Sequence, residues 1–147
     1  MNHNVEDLVQ ELYGLGTVRR TLISHAQDEL GSQGFMALAA IVREGPLRVS
    51  EVAAHLMVDL SVASRQVGAL QAAGYVSRER DADDGRASVL APTPAGERVL
   101  AESHRRMVDE VAEVLDDWPD REVAALTAAL ARLRADFGAT PTKEAAR

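Results

Sequence analysis

Ser61, Val62, Ser64, Arg65, Gly68 and Ala69 share one side of a helical repeat whose other side is Ala63, Val67 and Leu70. The first side carries short hydroxyls, one guanidinium and nothing bulky. Its chemistry would be hydrogen bonding to phosphates and base edges in a major groove about 12 Å wide. Arg65 could grip a guanine bidentately or hold a phosphate, Ser61 and Ser64 suit phosphates or base edges, and Val62 could touch a thymine methyl. The helix N-terminus, capped by Asp59, favours phosphate through its dipole. Further along, Arg86 stands in a polar turn, placed to enter a minor groove, and Asp84 two residues earlier could hold it by a charge-assisted bond. Small polar residues also make an ordinary solvated helix face. The reading therefore rests on their arrangement.

The elements that must position these groups follow from hydrophobic periodicity. Val5 to about Ala26 reads as an amphipathic helix weakened by Gly14 and Gly16. Gly31-Ser32-Gln33-Gly34 breaks the pattern, and a second helix runs from about Phe35 to Arg43, ended by Gly45-Pro46. A short helix, about Ser50 to Leu56, precedes the Leu60–Ala73 helix, and Gly74 supplies a left-handed C-terminal residue. The period then changes to two. Tyr75–Arg80 and Ala87–Ala91 read as the strands of a hairpin, with Asp81–Arg86 as its turn. Thr93-Pro94 caps a long helix to about Asp117, and a last helix runs from Asp120 to Phe137 before the tail GATPTKEAAR. The expected fold is mainly α with a small β-hairpin wing: a winged helix-turn-helix with long N- and C-terminal helices.

Composition removes several alternatives. The 147 residues include no cysteine, which excludes disulfides, thiolate metal sites and cysteine redox sensing. His3, His25, His55 and His104 lack ligand-like spacing, so neither a metal site nor a cofactor is expected. No nucleophile–base pair or Gly-rich phosphate loop occurs, and the chain is read as not an enzyme. No apolar run suits a membrane span and no secretory signal is visible, so a cytoplasmic place is expected. The net charge of −7 argues against a generic polyanion binder. Between residues 48 and 93, however, five Arg oppose six acids, three of them clustered at Asp81, Asp83 and Asp84.

The stretch from Leu47 to Leu100 resembles the MarR family of bacterial transcriptional regulators. The shared features are the Ala53 region, Ser64-Arg65, Leu70, Gly74, Arg78, Asp81, Asp84, Arg86, Thr93-Pro94 and Gly96. Gln33, Phe35 and Leu38 fit the family's second helix, and Trp118 to Leu133 its last. Four positions depart from the pattern. Arg48 stands where a hydroxyl cap is usual, so either Ser50 caps or Arg48 contacts a phosphate instead. Val62 replaces a common Thr, Gly68 a common Asp or Asn, and Pro92 an apolar residue, which would shorten the second wing strand.

The resemblance implies a single domain over residues 1–137, with the winged lobe at about 35–93, dimerisation helices at about 5–26 and 94–137, and a flexible tail at 138–147. It implies a homodimeric repressor of a pseudo-palindromic double-stranded operator, contacted by Ser61, Val62, Ser64, Arg65, Gly68, Arg78, Asp84 and Arg86. It also implies release by a small anionic or aromatic ligand, with Tyr13, Arg19, Arg20, His25 and Phe35 as candidate pocket residues. Gly68, Val62 and the acidic balance leave a second possibility open: a winged-helix adaptor that binds proteins and no operator.

Overall fold

Leu38, Ile41, Val52, Val67, Leu70 and Leu90 lose essentially all contact with solvent, and the lobe is built around them. The computed structural model describes residues 3–26 and 30–139. Its elements are α1 (His3–Ala26), α2 (Gly31–Glu44), α3 (Val49–Leu56), α4 (Leu60–Ala72), β1 (Val76–Arg80), β2 (Ser88–Pro92), α5 (Pro94–Val114) and α6 (Asp120–Ala139). Helices plus one antiparallel hairpin are the expected fold class. The chain forms two compact units, Met1–Glu110 and Val111–Arg147, the boundary falling within α5.

In the first unit α2, α3 and α4 pack around one core, which the hairpin closes through Val76 and Leu90. The strands pair from Val76 with Pro92 to Arg80 with Ser88. Pro92 therefore ends β2 without shortening it, contrary to the sequence expectation, because a terminal residue need not donate to the ladder. Leu47 adds a bridge on the other side of β2, its N–H and C=O bonding Leu90 at 3.1 and 2.7 Å.

Local chemistry explains the joints. At the end of α4 the Gly74 N–H bonds the Gln71 carbonyl and the Tyr75 N–H bonds the Leu70 carbonyl, with Gly74 at φ 77°. This is the Schellman arrangement, whose left-handed residue glycine adopts without steric cost. At α5 the Thr93 hydroxyl accepts from the Gly96 N–H at 3.1 Å and donates to the Gly74 carbonyl at 2.6 Å. A Cβ on Gly96 would lie 2.1 Å from the Tyr75 carbonyl oxygen, so only glycine allows this approach of α5 to the strand entry.

Two expectations are corrected. The helix α2 starts at Gly31, four residues before Phe35. Gly34, read from sequence as part of a break, is a buried helical residue whose missing side chain faces Leu30 and Gln66. Asp59 does occupy the N-cap of α4, but its carboxylate makes no capping hydrogen bond; its backbone carbonyl starts the helix by accepting from Val62 and Ala63.

The helix α1 covers little of its apolar row. Leu12, Leu22 and Ile23 are half-buried, while Val5, Leu8, Val9, Leu15 and Val18 are exposed. In the second unit none of the described side chains of α6 is fully buried, and Leu126, Leu130 and Phe137 are exposed. It continues to Ala139, and the rest of the expected tail, residues 140–147, lies outside the described residues. Among the described residues no helix is long and apolar enough to cross a membrane.

Candidate nucleic-acid interface

The two sides of α4 separate as its sequence requires. Ala63, Val67 and Leu70 are buried against α2 and α3. Ser61, Ser64, Arg65 and Gly68 are exposed, and Val62 is half-exposed. Among the described residues the guanidinium of Arg65 makes no ion pair, and it is available to an anion. Because the Asp59 carboxylate does not cap, the N–H groups of Leu60 and Ser61 at the start of α4 also stay open. A helix docked by one apolar stripe, with a flat polar face and unoccupied donors at its N-terminus, can lie in a groove and bond to phosphates and base edges.

The turn before α4 adds residues that sequence periodicity did not single out. Met57 is 90% exposed and held at φ 53°, and Leu60 is 56% exposed at the first position of α4. Exposed apolar side chains beside the leading end of α4 can contact thymine methyl groups.

The hairpin loop is closed by its own aspartates. The Asp81 N–H bonds the Ala87 carbonyl, and the Ala87 N–H bonds the Asp84 carbonyl. Asp81 Oδ1 accepts from the Asp83 N–H at 3.0 Å, and Asp84 Oδ1 from the Arg86 N–H at 3.1 Å. The bond expected between Asp84 and the Arg86 side chain is thus made to the Arg86 backbone instead. It shapes the turn and leaves the guanidinium exposed at the tip. Arg78, on β1, is drawn between elements: Nε donates to Gln71 Oε1 at 3.4 Å and a terminal nitrogen to Ser88 Oγ at 3.0 Å. The residue is exposed at the junction of α4 with the hairpin.

Arg48, rather than Ser50, stands at the N-terminal boundary of α3, and its side chain has a partner within the protein. It is the N-cap residue of α3, with extended backbone, and Glu51 Oε2 accepts from its N–H at 2.7 Å. A guanidinium has no acceptor atom and cannot cap. The side chain instead reaches Asp81, 33 residues away, with Nε and a terminal nitrogen at 3.0 and 2.5 Å from Oδ2. These bonds, with the Asp83 N–H, hold the Asp81 carboxyl below the usual carboxylate range, and the Asp81 partner raises the Arg48 guanidinium.

The candidate ligand residues are brought together only in part. Arg19 and Arg20 line a groove between α1 and α2 with Ile23, Ser24, Ser32, Gln33 and Met36. Tyr13 is 77% exposed, about two turns further up α1, and does not line it. Phe35 is packed in the core. The His25 side chain lies outside the described residues.

A helix pair, a flat-faced second helix and a hairpin with an arginine at its tip define a winged helix-turn-helix protein. Residues 30–87 match the model of the MarR family. Two Bacillus subtilis proteins, both described as uncharacterized HTH-type transcriptional regulators, are similar over nearly the whole chain. YxaD is 28% identical, with 92% of this chain and 97% of that protein covered. YpoP is 26% identical, with 90% and 93% covered. Among solved structures, a MarR family protein from Bacillus stearothermophilus has a TM-score of 0.78 at 22% identity, covering 94% of this chain and 99% of that one. The apo form of MarR from E. coli has a TM-score of 0.72 at 22% identity, covering 86% and 96%. Residues 30–87 thus match the MarR family, and the chain has the winged helix-turn-helix fold of that family's solved structures.

Proposed function

We propose that this protein is a homodimeric repressor that reads a pseudo-palindromic operator through α4 and the hairpin, and that a small anionic ligand releases it. The observation that carries the DNA reading is the division of α4. Its apolar stripe is fully used by the core, while Ser61, Ser64, Arg65 and Gly68 form an unencumbered outer face. Arg65 addresses a guanine or a phosphate, and Ser61 and Ser64 fix the register on the backbone. Val62 supplies an apolar contact, and Gly68 keeps the face flat. Arg86, on a turn shaped by Asp84, reaches a neighbouring minor groove, and Arg78 anchors the junction on a phosphate.

Dimerisation is supported by apolar rows on α1 and α6 that the single chain leaves exposed. A second copy related by a two-fold axis would cover them and present two copies of α4 about one DNA turn apart. The groove lined by Arg19 and Arg20 supports the ligand reading. Two guanidiniums beside Ile23 and Met36 suit a carboxylate or phenolate on an apolar body. Such a ligand would shift the protein toward a DNA-incompetent state only by its differential affinity for the two states. The protein would do this work in the cytoplasm.

Fluorescence anisotropy on DNA from immediately upstream of the protein's own gene, against scrambled duplex, tests the reading. Preference by roughly 10³-fold or more, abolished in Arg65→Ala, is expected. Weak binding of both duplexes, unaffected by Arg65→Ala, would favour the adaptor reading.

A further inference from the structure

We propose that Arg48 is a positioning residue for DNA binding: by gripping Asp81 it fixes the root of the hairpin to the start of α3, and so sets where Arg86 meets the duplex. This rests on the DNA-binding reading given above. The backbone at Leu47 is already bonded twice to Leu90 of β2. The very next side chain bonds Asp81, directly after β1. Residues 47 and 48 thus tether both arms of the hairpin, one by backbone and one by an ion pair.

Asp81 is suited to be the receiving end. Its N–H closes the loop on Ala87, its Oδ1 orders Asp83, and its Oδ2 takes Arg48, so a displacement of Asp81 is passed directly to the segment that carries Arg86. Its side chain is only 14% exposed, against 44% for Arg48. The carboxylate is therefore turned toward the protein, and its charge is neutralised before any phosphate approaches. The arrangement also accounts for an arginine at a position where a capping hydroxyl would serve α3 better: Glu51 caps the backbone, and the side chain is left for the hairpin.

The opposite expectation is clear-cut. If Asp81 acted only through its charge, removing that charge would strengthen binding to DNA. The test uses Asp81→Asn, which keeps an acceptor for the Asp83 N–H, together with Arg48→Ala and the charge-swapped Arg48→Asp with Asp81→Arg. Each full-length variant is checked for a native far-UV spectrum. Binding to the duplex preferred by the unaltered protein is read by anisotropy, and amide hydrogen exchange of residues 82–87 is read without DNA. The expected result is about twofold to fivefold weaker binding for both single variants, the range for an exposed ion pair, with partial recovery in the swap. Exchange over residues 82–87 should rise by a similar factor. Tighter or unchanged binding by Asp81→Asn, with unchanged exchange, overturns the proposal. If the unaltered protein prefers no duplex, the DNA-binding reading has failed by itself. The tether is then judged on exchange alone, where an unchanged rate overturns it.

Discussion

Replacing Gly96 by alanine should unfold the junction between the hairpin and α5 far more readily than a single methyl suggests. The added Cβ would lie 2.1 Å from the Tyr75 oxygen, 2.9 Å from its carbonyl carbon and 3.2 Å from its Cα. These are backbone atoms and cannot rotate aside. Reaching even 3.0 Å from the oxygen requires the two segments to part by about 0.9 Å. That movement stretches the Thr93 N–H bond to the Tyr75 carbonyl, 3.0 Å long, and the Thr93 hydroxyl bond to Gly74, 2.6 Å long. Overpacking of this kind costs about 1–3 kcal/mol, and weakening two hydrogen bonds adds about 1–2. Alanine's better helix propensity returns about 1. The net expectation is about 1–4 kcal/mol of destabilisation, or roughly 3–15 °C in Tm for a chain of this size. Thermal and urea unfolding followed by circular dichroism, at one fixed protein concentration, would measure it. Gly68→Ala is the control, because nothing in the same lobe lies within 4 Å of the methyl it would add. It should be neutral or stabilising by up to about 1 kcal/mol. If Gly96→Ala proved as harmless as Gly68→Ala, the packing argument would be refuted.

Met57 holds a left-handed conformation at the end of α3 while 90% exposed, so Met57→Gly should stabilise by about 0.5–1 kcal/mol in the same unfolding assay. Arg86→Ala should weaken binding to all duplexes by a similar factor and reduce the slope of log affinity against log salt by about one, as seen in anisotropy titrations at several ionic strengths. The Asp81 carboxyl is held below its ordinary value, chiefly by the Arg48 hydrogen bond. Its contribution to stability is therefore complete above the unfolded value of about 4 and is lost as pH falls through the lower folded value. Unfolding free energies in unaltered protein and in Asp81→Asn should accordingly converge toward acid pH and differ by a constant amount between pH 6 and 8.

What the sequence disclosed was whatever depends on near neighbours. The buried stripe of α4 repeats at helical spacing, Gly74 follows a helix end, Thr93 precedes a proline, and the change of period after Gly74 announces the hairpin. Each was legible because the residues that decide it are within a few positions of one another. The start of α2 was not, because Gly31 and Gly34 look like breakers locally, yet Gly34 lies buried inside the helix beside Leu30 and Gln66. Asp59 and Asp84 were recognised as structural acids, yet whether such a carboxylate bonds a backbone N–H or a side chain depends on torsions that a sequence does not display. Arg48 and Asp81 meet across 33 residues, and Arg78 meets Gln71 and Ser88 only after the hairpin folds onto α4. Adjacency in sequence brings Arg19 and Arg20 to the same candidate groove. Spacing could not tell that the Phe35 ring would be consumed by the core or that Tyr13 would stand clear.

The most direct test of the proposed operator recognition is selection of duplexes from a random pool by the full-length protein, since the pool contains every candidate half-site. Enrichment of an inverted repeat, with half-sites centred about 10–10.5 base pairs apart and lost when Arg65→Ala is used, is the predicted result. A pool that stays random through successive rounds, or enrichment that Arg65→Ala reproduces, would contradict the assignment of α4 as the reading element.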